Sequence, residues 1–309
     1  MSAHSHAASR VRPLDAEALA AWPLPEHGHD ADKDARGHVL VVAGSDEVPG
    51  AALLAAVAAL RAGAGKLTMA SPRGVALGLA LAIPEARVIP LDRSATGGLQ
   101  VRAAARLAPL SDTVDAVVAG PGMLDEQHSM AFVRALMPLF ASSTMVLDAV
   151  AMSIAKEGAF SQPVILTPHA GEMANLTGLT KEQVNADPYR TAVDAARQWN
   201  AYVVLKGAAT YIATPTGETW CFTGGSAGLG TSGSGDTLAG LIGGLAARGT
   251  PALAACAWGV VLHARAGDAL SRQHGPLGYL ARELAGELPA LLRSASLPPQ
   301  RASTTRQAR

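Results

Sequence analysis

The sequence predicts an α/β protein in which helices cover both faces of one mostly parallel sheet, giving a three-layer sandwich. Short apolar runs alternate along the chain with longer segments of helical periodicity, as in parallel α/β folds. The apolar runs are continuous, which is typical of strands buried on both faces. With 309 residues, 49% hydrophobic and 16% charged, the chain is long enough to enclose a sizeable core.

The predicted strands are short apolar runs bounded by glycine, proline or polar residues. They occupy residues 38–43, 66–70, 114–119, 144–147, 164–166 and 202–205. A β-hairpin is predicted from residues 210–214 and 218–222, because the Pro-Thr-Gly sequence between them is a turn signal.

The predicted helices carry apolar residues at a spacing of three and four, as Leu238, Leu241, Ile242 and Leu245 do. They occupy residues 49–63, 126–140, 187–200, 236–247, 251–270 and 279–292. The polar ends of the chain, residues 1–12 and 294–309, are predicted to be disordered tails that flank a single domain at 13–293.

Composition argues against several classes of function. The formal net charge is zero and aromatic residues make up 4%, so neither nucleic acid nor an anionic membrane surface is an expected partner. The longest apolar runs fall short of the ~18 residues that a membrane span needs. Cys221 and Cys256 lack metal-ligand spacing, and residues 1–12 lack the apolar core of a secretory signal. A cytoplasmic protein with reduced thiols is therefore expected.

The most informative motif is Gly-Leu-Gly-Thr-Ser-Gly-Ser-Gly-Asp at 228–236, which leads directly into a predicted helix. A helix N-terminus offers unpaired N–H groups, and glycine allows close approach, so this loop suits a phosphate group. Asp236 is placed to take a proton from a hydroxyl nucleophile. No Gly-Lys-Ser/Thr follows, so a Walker loop is excluded. An ordinary turn with Asp236 as helix cap is the alternative interpretation.

Further polar or glycine-rich loops follow the predicted strands, at 44–50, 120–122, 148, 167–172 and 206–210. In parallel sheets the carboxyl ends of the strands share one edge, where ligands bind. These loops and the phosphate loop are therefore expected to surround one cleft.

Taken together, these segments resemble the ribokinase-like superfamily and, within it, the ADP-dependent NAD(P)H-hydrate dehydratases, from about residue 38 to residue 292. The segments that carry the resemblance include Thr-Pro-His-Ala-Gly-Glu at 167–172, Leu-Lys-Gly at 205–207 and Gly-Ser-Gly-Asp at 233–236. The first two separate this family from sugar kinases better than the glycine loop does. The chain departs from the family pattern at Val150, where many members have Asp, at Ser-Ala-Gly in 226–228, where Asn-Pro-Gly is usual, and at Ser232, where Gly is usual.

The resemblance implies an enzyme that restores NADH and NADPH from their hydrated forms, in the S epimer. ADP would phosphorylate the hydroxyl of the hydrated ring and leave as AMP, and phosphate would then be expelled. Mg²⁺ is expected with the nucleotide, although the sequence shows no dedicated metal cage.

The resemblance also assigns the site residues. Asp236 would be the general base and contact the substrate, together with Ala55, Gly122 and His169. The nucleotide would be bound by Lys206, Gly207, Ala208, Ala209, Thr210, Gly233, Ser234 and Gly235.

The family also suggests partners. The chain has no room for the epimerase domain that some relatives carry, so a functional link to a separate NAD(P)H-hydrate epimerase is expected. Helices rich in small residues suggest a homo-oligomer, with a homotetramer as the working expectation.

Two alternatives remain open from the sequence. A small-alcohol kinase of the hydroxyethylthiazole or hydroxymethylpyrimidine type would share the fold and the phosphate loop, but would stop at a stable phosphate ester. A nucleotide-binding regulator without catalysis would bind nucleotide without turnover, and only Val150 and the 226–228 variation favour it.

Overall fold

A computed structural model describes residues 11–26, 28 and 30–296 of the chain. Within them, ten strands form a single sheet in the order β1-β10-β9-β8-β7-β6-β5-β2-β3-β4. Their bounds are β1 Arg12–Pro13, β2 His38–Val42, β3 Lys66–Pro72, β4 Arg87–Leu91, β5 Ala116–Ala119, β6 Thr144–Leu147, β7 Val164–Leu166, β8 Tyr202–Leu205, β9 Ala209–Ala213 and β10 Thr219–Thr223.

The sheet is mostly parallel, because each neighbouring pair from β4 to β8 runs in the same direction. The exception is β9, which is antiparallel to both of its neighbours, β8 and β10. The carboxyl ends of β2 to β8 therefore meet at one edge of the sheet, and the loops that follow them lie side by side.

The α-helices are α1 Ala16–Ala20, α2 Pro49–Arg61, α3 Arg73–Ala82, α4 Glu126–Leu136, α5 Ala170–Thr177, α6 Lys181–Ala186, α7 Pro188–Trp199, α8 Ser234–Ala247, α9 Ala252–His274 and α10 Ala281–Ser296. Short 3₁₀ helices cover Val101–Leu110, Met137–Phe140, Ala149–Glu157 and Ala227–Leu229.

Two apolar cores lie on opposite faces of the sheet, and alternate residues of a strand contribute to each. In β2, Val39 and Val41 join the core that includes α2, α8, α9 and α10. Leu40 and Val42 join the core formed with α4, α5, α7 and the adjacent 3₁₀ helices. Burial on both faces explains why the strand sequences are continuously apolar.

Helices α2 and α8 cross at very close range. A Cβ atom added to Gly240 would lie 2.0 Å from the carbonyl oxygen of Ala55, so only glycine fits at this crossing. The small residues of both helices bring their backbones together, and this contact fixes the position of the α8 N-terminus over the sheet edge.

The structure confirms the predicted three-layer sandwich with a mostly parallel sheet. It also adds elements that the sequence did not predict, namely β1, α1, α3, β4, α5, α6 and the 3₁₀ helices at Val101–Leu110, Ala149–Glu157 and Ala227–Leu229. No helix in the described part of the chain is long and apolar enough to cross a membrane.

The predicted tails are only partly tested. Most of residues 1–12 and 294–309 lie outside the described residues. At the borders of these ranges, Arg12 pairs with Trp220 in β1, and α10 continues to Ser296. Arg12 is held in place by an ion pair with Glu218 and by its position over the Trp220 ring, contacts that local sequence could not reveal.

Candidate active site

A cavity of about 860 Å³ opens at the carboxyl edge of the sheet, between the ends of β6 to β8 and the N-terminus of α8. Its charged side chains are Asp148, Glu172, Lys206 and Asp236. Residues 229–236 of the predicted phosphate loop form one wall, and residues 224–227 extend it. The predicted strand-end loops at 148, 167–172 and 206–210 also line this cleft. The loops at 44–50 and 120–122 do not line it, so the expected single cleft is confirmed only in part.

Helix α8 begins at the end of the phosphate loop, in a conformation that depends on Gly233. This residue is the N-cap and has a φ of 89°, in the left-handed region where glycine is unstrained. No side chain caps the helix. The suggestion that Asp236 caps it is wrong, because Asp236 lies in the first turn. The N–H groups of Ser234 and Thr237 donate to the carbonyls of Thr231 and Gly233, so those of Gly235 and Asp236 are the ones available to a ligand.

Lys206 is positioned by the sheet. Its backbone N–H donates to the carbonyl of Pro168 at 2.8 Å, and an isolated parallel bridge between His169 and Lys206 continues the register of β7 and β8. Its Nζ atom then lies 3.4 Å from Asp148 Oδ1 and 3.8 Å from Glu172 Oε2. Burial opposes the ammonium charge, but the carboxylates of Asp148, Glu172 and Asp236 outweigh burial and raise the pKa of Lys206. Lys206 is therefore a cation at neutral pH.

Asp148 is buried at the end of β6, with 3% of its surface exposed. Thr167 Oγ1 donates a hydrogen bond of 2.6 Å to its Oδ1 atom. Asp148 occupies the N-cap position of the following 3₁₀ helix, but its side chain makes no capping hydrogen bond. Its carboxylate instead faces Lys206, which supplies the charge compensation that a buried carboxylate requires.

The environment of Asp236 raises the pKa of its carboxyl group. Burial, with the nearby charges of Asp148 and Glu172, raises its pKa to about 6, against the opposing effect of Lys206. A carboxylate with a pKa near neutrality is a better proton acceptor than an ordinary aspartate and is still ionised at pH 7. The geometry thus combines a base, a cation and a helix N-terminus in one cavity.

His169 has a structural role that its sequence context did not reveal. Its Nδ1 atom accepts hydrogen bonds from the backbone N–H groups of Gly171 and Glu172 at 3.0 and 3.2 Å, and so caps α5. Because Nδ1 is an acceptor, the proton of a neutral ring lies on Nε2. The side chain is 60% exposed and lines the cavity, so this Nε2–H group can still donate to a ligand.

His263, on α9, is a cavity residue that was not predicted. Its Nε2 atom lies 3.0 Å from the carbonyl oxygen of Ser234 and 3.1 Å from Ser234 Oγ. A carbonyl only accepts, so Nε2 carries the proton. Burial lowers the pKa of His263 to about 4, and the Lys206 charge adds to this effect. A neutral histidine therefore fixes the first residue of α8.

One half of the cavity is apolar. Phe222, Leu229, Val260 and Ala264 line it beyond the phosphate loop. Leu229 packs closely against Gly225 and Gly267, so that an added Cβ at either glycine would lie within 2.8 Å of its side chain. The loop is thereby held against α9, and the apolar surface suits a flat, uncharged ring system.

A family model described as NAD(P)H-hydrate dehydratase matches residues 39–290, which include every charged group of this cavity. The chain belongs to the NAD(P)H-hydrate dehydratase family.

Two named relatives of this NAD(P)H-hydrate dehydratase family differ in length. The chain is 48% identical over 283 residues to the ADP-dependent (S)-NAD(P)H-hydrate dehydratase of Xanthomonas campestris pv. campestris, covering 92% of this chain and 96% of that protein. It is 38% identical over 282 residues to the Bifunctional NAD(P)H-hydrate repair enzyme Nnr of Moorella thermoacetica, covering 89% of this chain and 53% of that protein. The chain thus spans about half the length of the bifunctional relative.

A solved structure of the family shares the fold. The ADP/ATP-dependent NAD(P)H-hydrate dehydratase from Bacillus subtilis, co-crystallised with ATP/Mg²⁺, matches with a TM-score of 0.82 at 31% identity, covering 93% of this chain and all of that one. The family resemblance and the ribokinase-like α/β architecture expected from the sequence are therefore confirmed.

The structure brings together most of the residues assigned from the family resemblance. Nine of them line the cavity: His169, Lys206, Gly207, Ala208, Thr210, Gly233, Ser234, Gly235 and Asp236. Ala209 does not line it and lies in β9, paired with Thr223. Gly122 lies elsewhere on the same sheet edge, after β5 and against the backbone of Val48.

Ala55 does not line this cavity. It is fully buried in the crossing of α2 and α8, and its backbone packs against Gly240. Its small side chain allows the crossing that positions α8. The substrate contact that the resemblance implies for Ala55 stays a prediction.

Glu172 and His263 line the cavity, but no role was predicted for either from the sequence. Glu172 could have been noticed through its spacing from His169, since a residue at N3 of a helix often completes a capping box, as it does here. His263 stands in the otherwise apolar run Val-Val-Leu-His-Ala, where a lone polar side chain requires a buried partner.

Metal-binding capacity is limited. The described residues contain no group of three or more His, Cys, Asp or Glu side chains that could hold a metal ion. The carboxylates of Asp148 and Asp236 face the cavity, but Lys206 lies among them. This set of groups fits a cation that brings most of its ligands from a bound nucleotide and water, as Mg²⁺ does.

Proposed function

We propose that this protein dehydrates the S epimer of hydrated NADH and NADPH in an ADP-dependent reaction, releasing AMP and phosphate. The observation that carries the proposal is the Asp236 carboxylate, with its pKa of about 6, in the first turn of α8 beside the half-buried Lys206. Family membership supports the same reaction over a small-alcohol kinase.

In the first step, Asp236 accepts the proton of the ring hydroxyl, whose oxygen attacks the terminal phosphorus of ADP. The bond between that phosphorus and the bridging oxygen breaks, and AMP leaves. The free N–H groups of the α8 first turn and the Lys206 ammonium stabilise negative charge on the transferred phosphoryl group. Their positions are fixed before the reaction, which removes the cost of reorganising solvent.

In the second step, the lone pair of the ring nitrogen expels phosphate from the neighbouring carbon. Loss of a proton from the next ring carbon then restores the double bond of the dihydronicotinamide. Phosphate is a far better leaving group than hydroxide, so the nucleotide makes the elimination feasible.

The nucleotide fits the cavity in one direction. Its base lies against the apolar half formed by Phe222, Leu229 and Val260, and its phosphates reach the N-terminus of α8 at Gly233–Gly235. Lys206, Gly207, Ala208 and Thr210 form the opposite wall.

Substrate is proposed to enter from the side of β5 and β7, where Gly122 and His169 lie. His169 donates through Nε2–H, because its Nδ1 atom is engaged in capping α5. Mg²⁺ would be held by the nucleotide phosphates with Asp148 or Asp236 at most, and it would neutralise phosphate charge.

Product analysis tests the reaction. Acid-hydrated NADH is incubated with ADP and Mg²⁺, and the products are separated by liquid chromatography. We expect AMP, phosphate and NADH in equal amounts. Accumulation of a phosphorylated hydrate without NADH would support the kinase alternative, and unchanged ADP would support the regulator.

We also propose a cytoplasmic homo-oligomer that acts alongside a separate epimerase. Cys221 and Cys256 are both free, as is usual in a reducing compartment. Leu77 and Leu81 are 72% and 75% exposed at neighbouring positions of α3, which favours association between subunits. Light scattering coupled to size exclusion tests the tetramer.

A further inference from the structure

A second, smaller cavity of about 200 Å³ opens beside the candidate active site. Ala149 and Glu172 line both cavities, so the two spaces adjoin at these residues. The remaining walls of this side pocket are Glu126, Val150, Ser153, Asn175 and Leu176. Neither the phosphate loop nor Asp236 contributes to it, so it does not belong to the nucleotide site.

The polar groups of the side pocket are oriented by Lys156. Its Nζ atom donates to Glu126 Oε1 at 2.7 Å and to Asn175 Oδ1 at 3.2 Å. Because an ammonium group only donates, the Asn175 oxygen is fixed toward Lys156 and the amide nitrogen remains as a donor. Ser153 also hydrogen-bonds to Glu126, which holds that carboxylate in place.

Glu172 supplies an acceptor on the side of the active site. Its Oε2 atom accepts from the His169 backbone N–H at 2.8 Å and lies 3.8 Å from Lys206 Nζ. Among the described residues, no hydrogen bond engages its other oxygen. Val150 and Leu176 add apolar surface between these polar groups. The pocket therefore presents an amide donor and carboxylate acceptors around an apolar slot.

A primary carboxamide on a ring matches this arrangement, because its oxygen accepts and its nitrogen donates twice. We propose that the side pocket binds the carboxamide of the hydrated nicotinamide ring and so determines which ring the enzyme accepts. This inference rests on the proposed dehydratase function.

Ring geometry supports this placement. The carbon that bears the hydroxyl lies opposite the carbon that bears the carboxamide. A ring whose carboxamide enters the side pocket therefore directs its hydroxyl out of the pocket, past Glu172 toward Lys206 and Asp236. The base and the reacting oxygen are thus brought to the same side of the ring.

The same pocket disfavours a carboxylate in place of the carboxamide. Glu126 and Glu172 would face the added negative charge, and like charges at this range repel. The enzyme is therefore expected to prefer hydrated NADH to the hydrated form of its nicotinic acid analogue, in which a carboxylate replaces the amide.

The test compares kcat/KM for these two hydrated substrates, with ADP. Glu126→Gln removes one carboxylate and leaves Lys156 without its partner, so the preference for the amide should fall roughly fivefold. Glu157→Gln is the matched control, since Glu157 is a carboxylate of the adjacent 3₁₀ helix that pairs with Arg134 and does not line the pocket. It should leave the preference unchanged.

Asn175→Leu provides a second readout, because it removes the amide donor while keeping a similar volume. KM for hydrated NADH should rise roughly tenfold, with little change in KM for ADP. The side-pocket assignment would be overturned if Glu126→Gln kept the wild-type ratio of kcat/KM for the two hydrated substrates. It would also be overturned if Glu126→Gln and Glu157→Gln changed that ratio equally. In either case the dehydratase function would stand. A wild-type protein inactive on both substrates would overturn both.

Discussion

Lys206 Nζ lies 3.4 Å from the buried carboxylate of Asp148, so one cation from the end of β8 compensates an acid at the end of β6. Glu172 Oε2 lies 3.8 Å from the same ammonium. Three carboxylates, counting Asp236, thus share one lysine. Burial, together with the charges of Asp148 and Glu172, raises the pKa of Asp236. The excess of negative charge also suits the arrival of a magnesium-bound nucleotide.

Replacing Lys206 with methionine should disturb both catalysis and stability. Lys206 lowers the pKa of Asp236, so Lys206→Met should shift the acid limb of the kcat/KM profile to higher pH. Asp148 would lose its partner while buried, at a cost of about 3–5 kcal/mol in the free energy of unfolding. Lys66→Met, which breaks an ion pair with the exposed Asp34, should cost under about 1 kcal/mol. Urea denaturation measures both, and equal losses would contradict the account.

The pH dependence of the wild-type enzyme should report Asp236. A base must be deprotonated, so kcat/KM should fall about tenfold per unit below a pKa of about 6 and level off above it. Asp236→Asn should reduce kcat at least about a hundredfold and abolish this limb, while the Kd for ADP changes little. If the residual kcat/KM of Asp236→Asn still fell below about pH 6, the titration would belong to another group.

Asp236 should also lower the stability of the folded protein at neutral pH. Its folded pKa of about 6 exceeds the ordinary value of 3.8, so the folded state holds the proton more tightly. Stability is therefore lost as pH rises from about 4 to about 6, by at most about 3 kcal/mol. Asp236→Asn should unfold at a higher temperature than wild type at pH 8 and at a similar temperature near pH 4. Asp194→Asn, at an exposed position of α7, should show no such pH-dependent gain.

His263 should position the phosphate loop through Ser234. His263→Leu removes the Nε2–H donor, and we expect KM for ADP to rise roughly tenfold with a smaller change in kcat. Glutamine can place an N–H donor near the position of Nε2, so His263→Gln should recover most of the wild-type KM. If His263→Gln and His263→Leu behave alike, the hydrogen bond to Ser234 has no part in nucleotide binding.

The central part of the fold was predictable because its signals are local. Continuous apolar strands are buried on both faces by α/β crossovers, and the loop before α8 carries its glycines in the sequence itself. Helix α3 and strand β4 were not predicted, for different reasons. In α3, Arg73–Ala82, the apolar side chains of Leu77 and Leu81 are exposed, so its apolar residues do not mark a single buried face. Strand β4 contains Pro90, which argues against a strand unless it lies at an edge, as β4 does.

The site was predictable where a motif marks it and hidden where tertiary contacts create it. Gly233 and Asp236 stand in one conspicuous run, and Lys206 follows a strand. The packing of Ala55 against α8 was not foreseen, because a small residue in a helix gives the same sequence signal whether it approaches a ligand or another helix. His263 lies 29 residues beyond Ser234, and only the packing of α9 against α8 brings them together.

The most direct test of the central claim follows the near-ultraviolet absorbance of reduced nicotinamide over acid-hydrated NADH, with Mg²⁺ and with ADP, ATP or no nucleotide. We predict that wild-type protein restores the absorbance only when nucleotide is present, and that Asp236→Asn, shown to be folded, restores it at least about a hundredfold more slowly. A flat trace from folded wild-type protein with both nucleotides, or equal rates from the two proteins, would contradict the account.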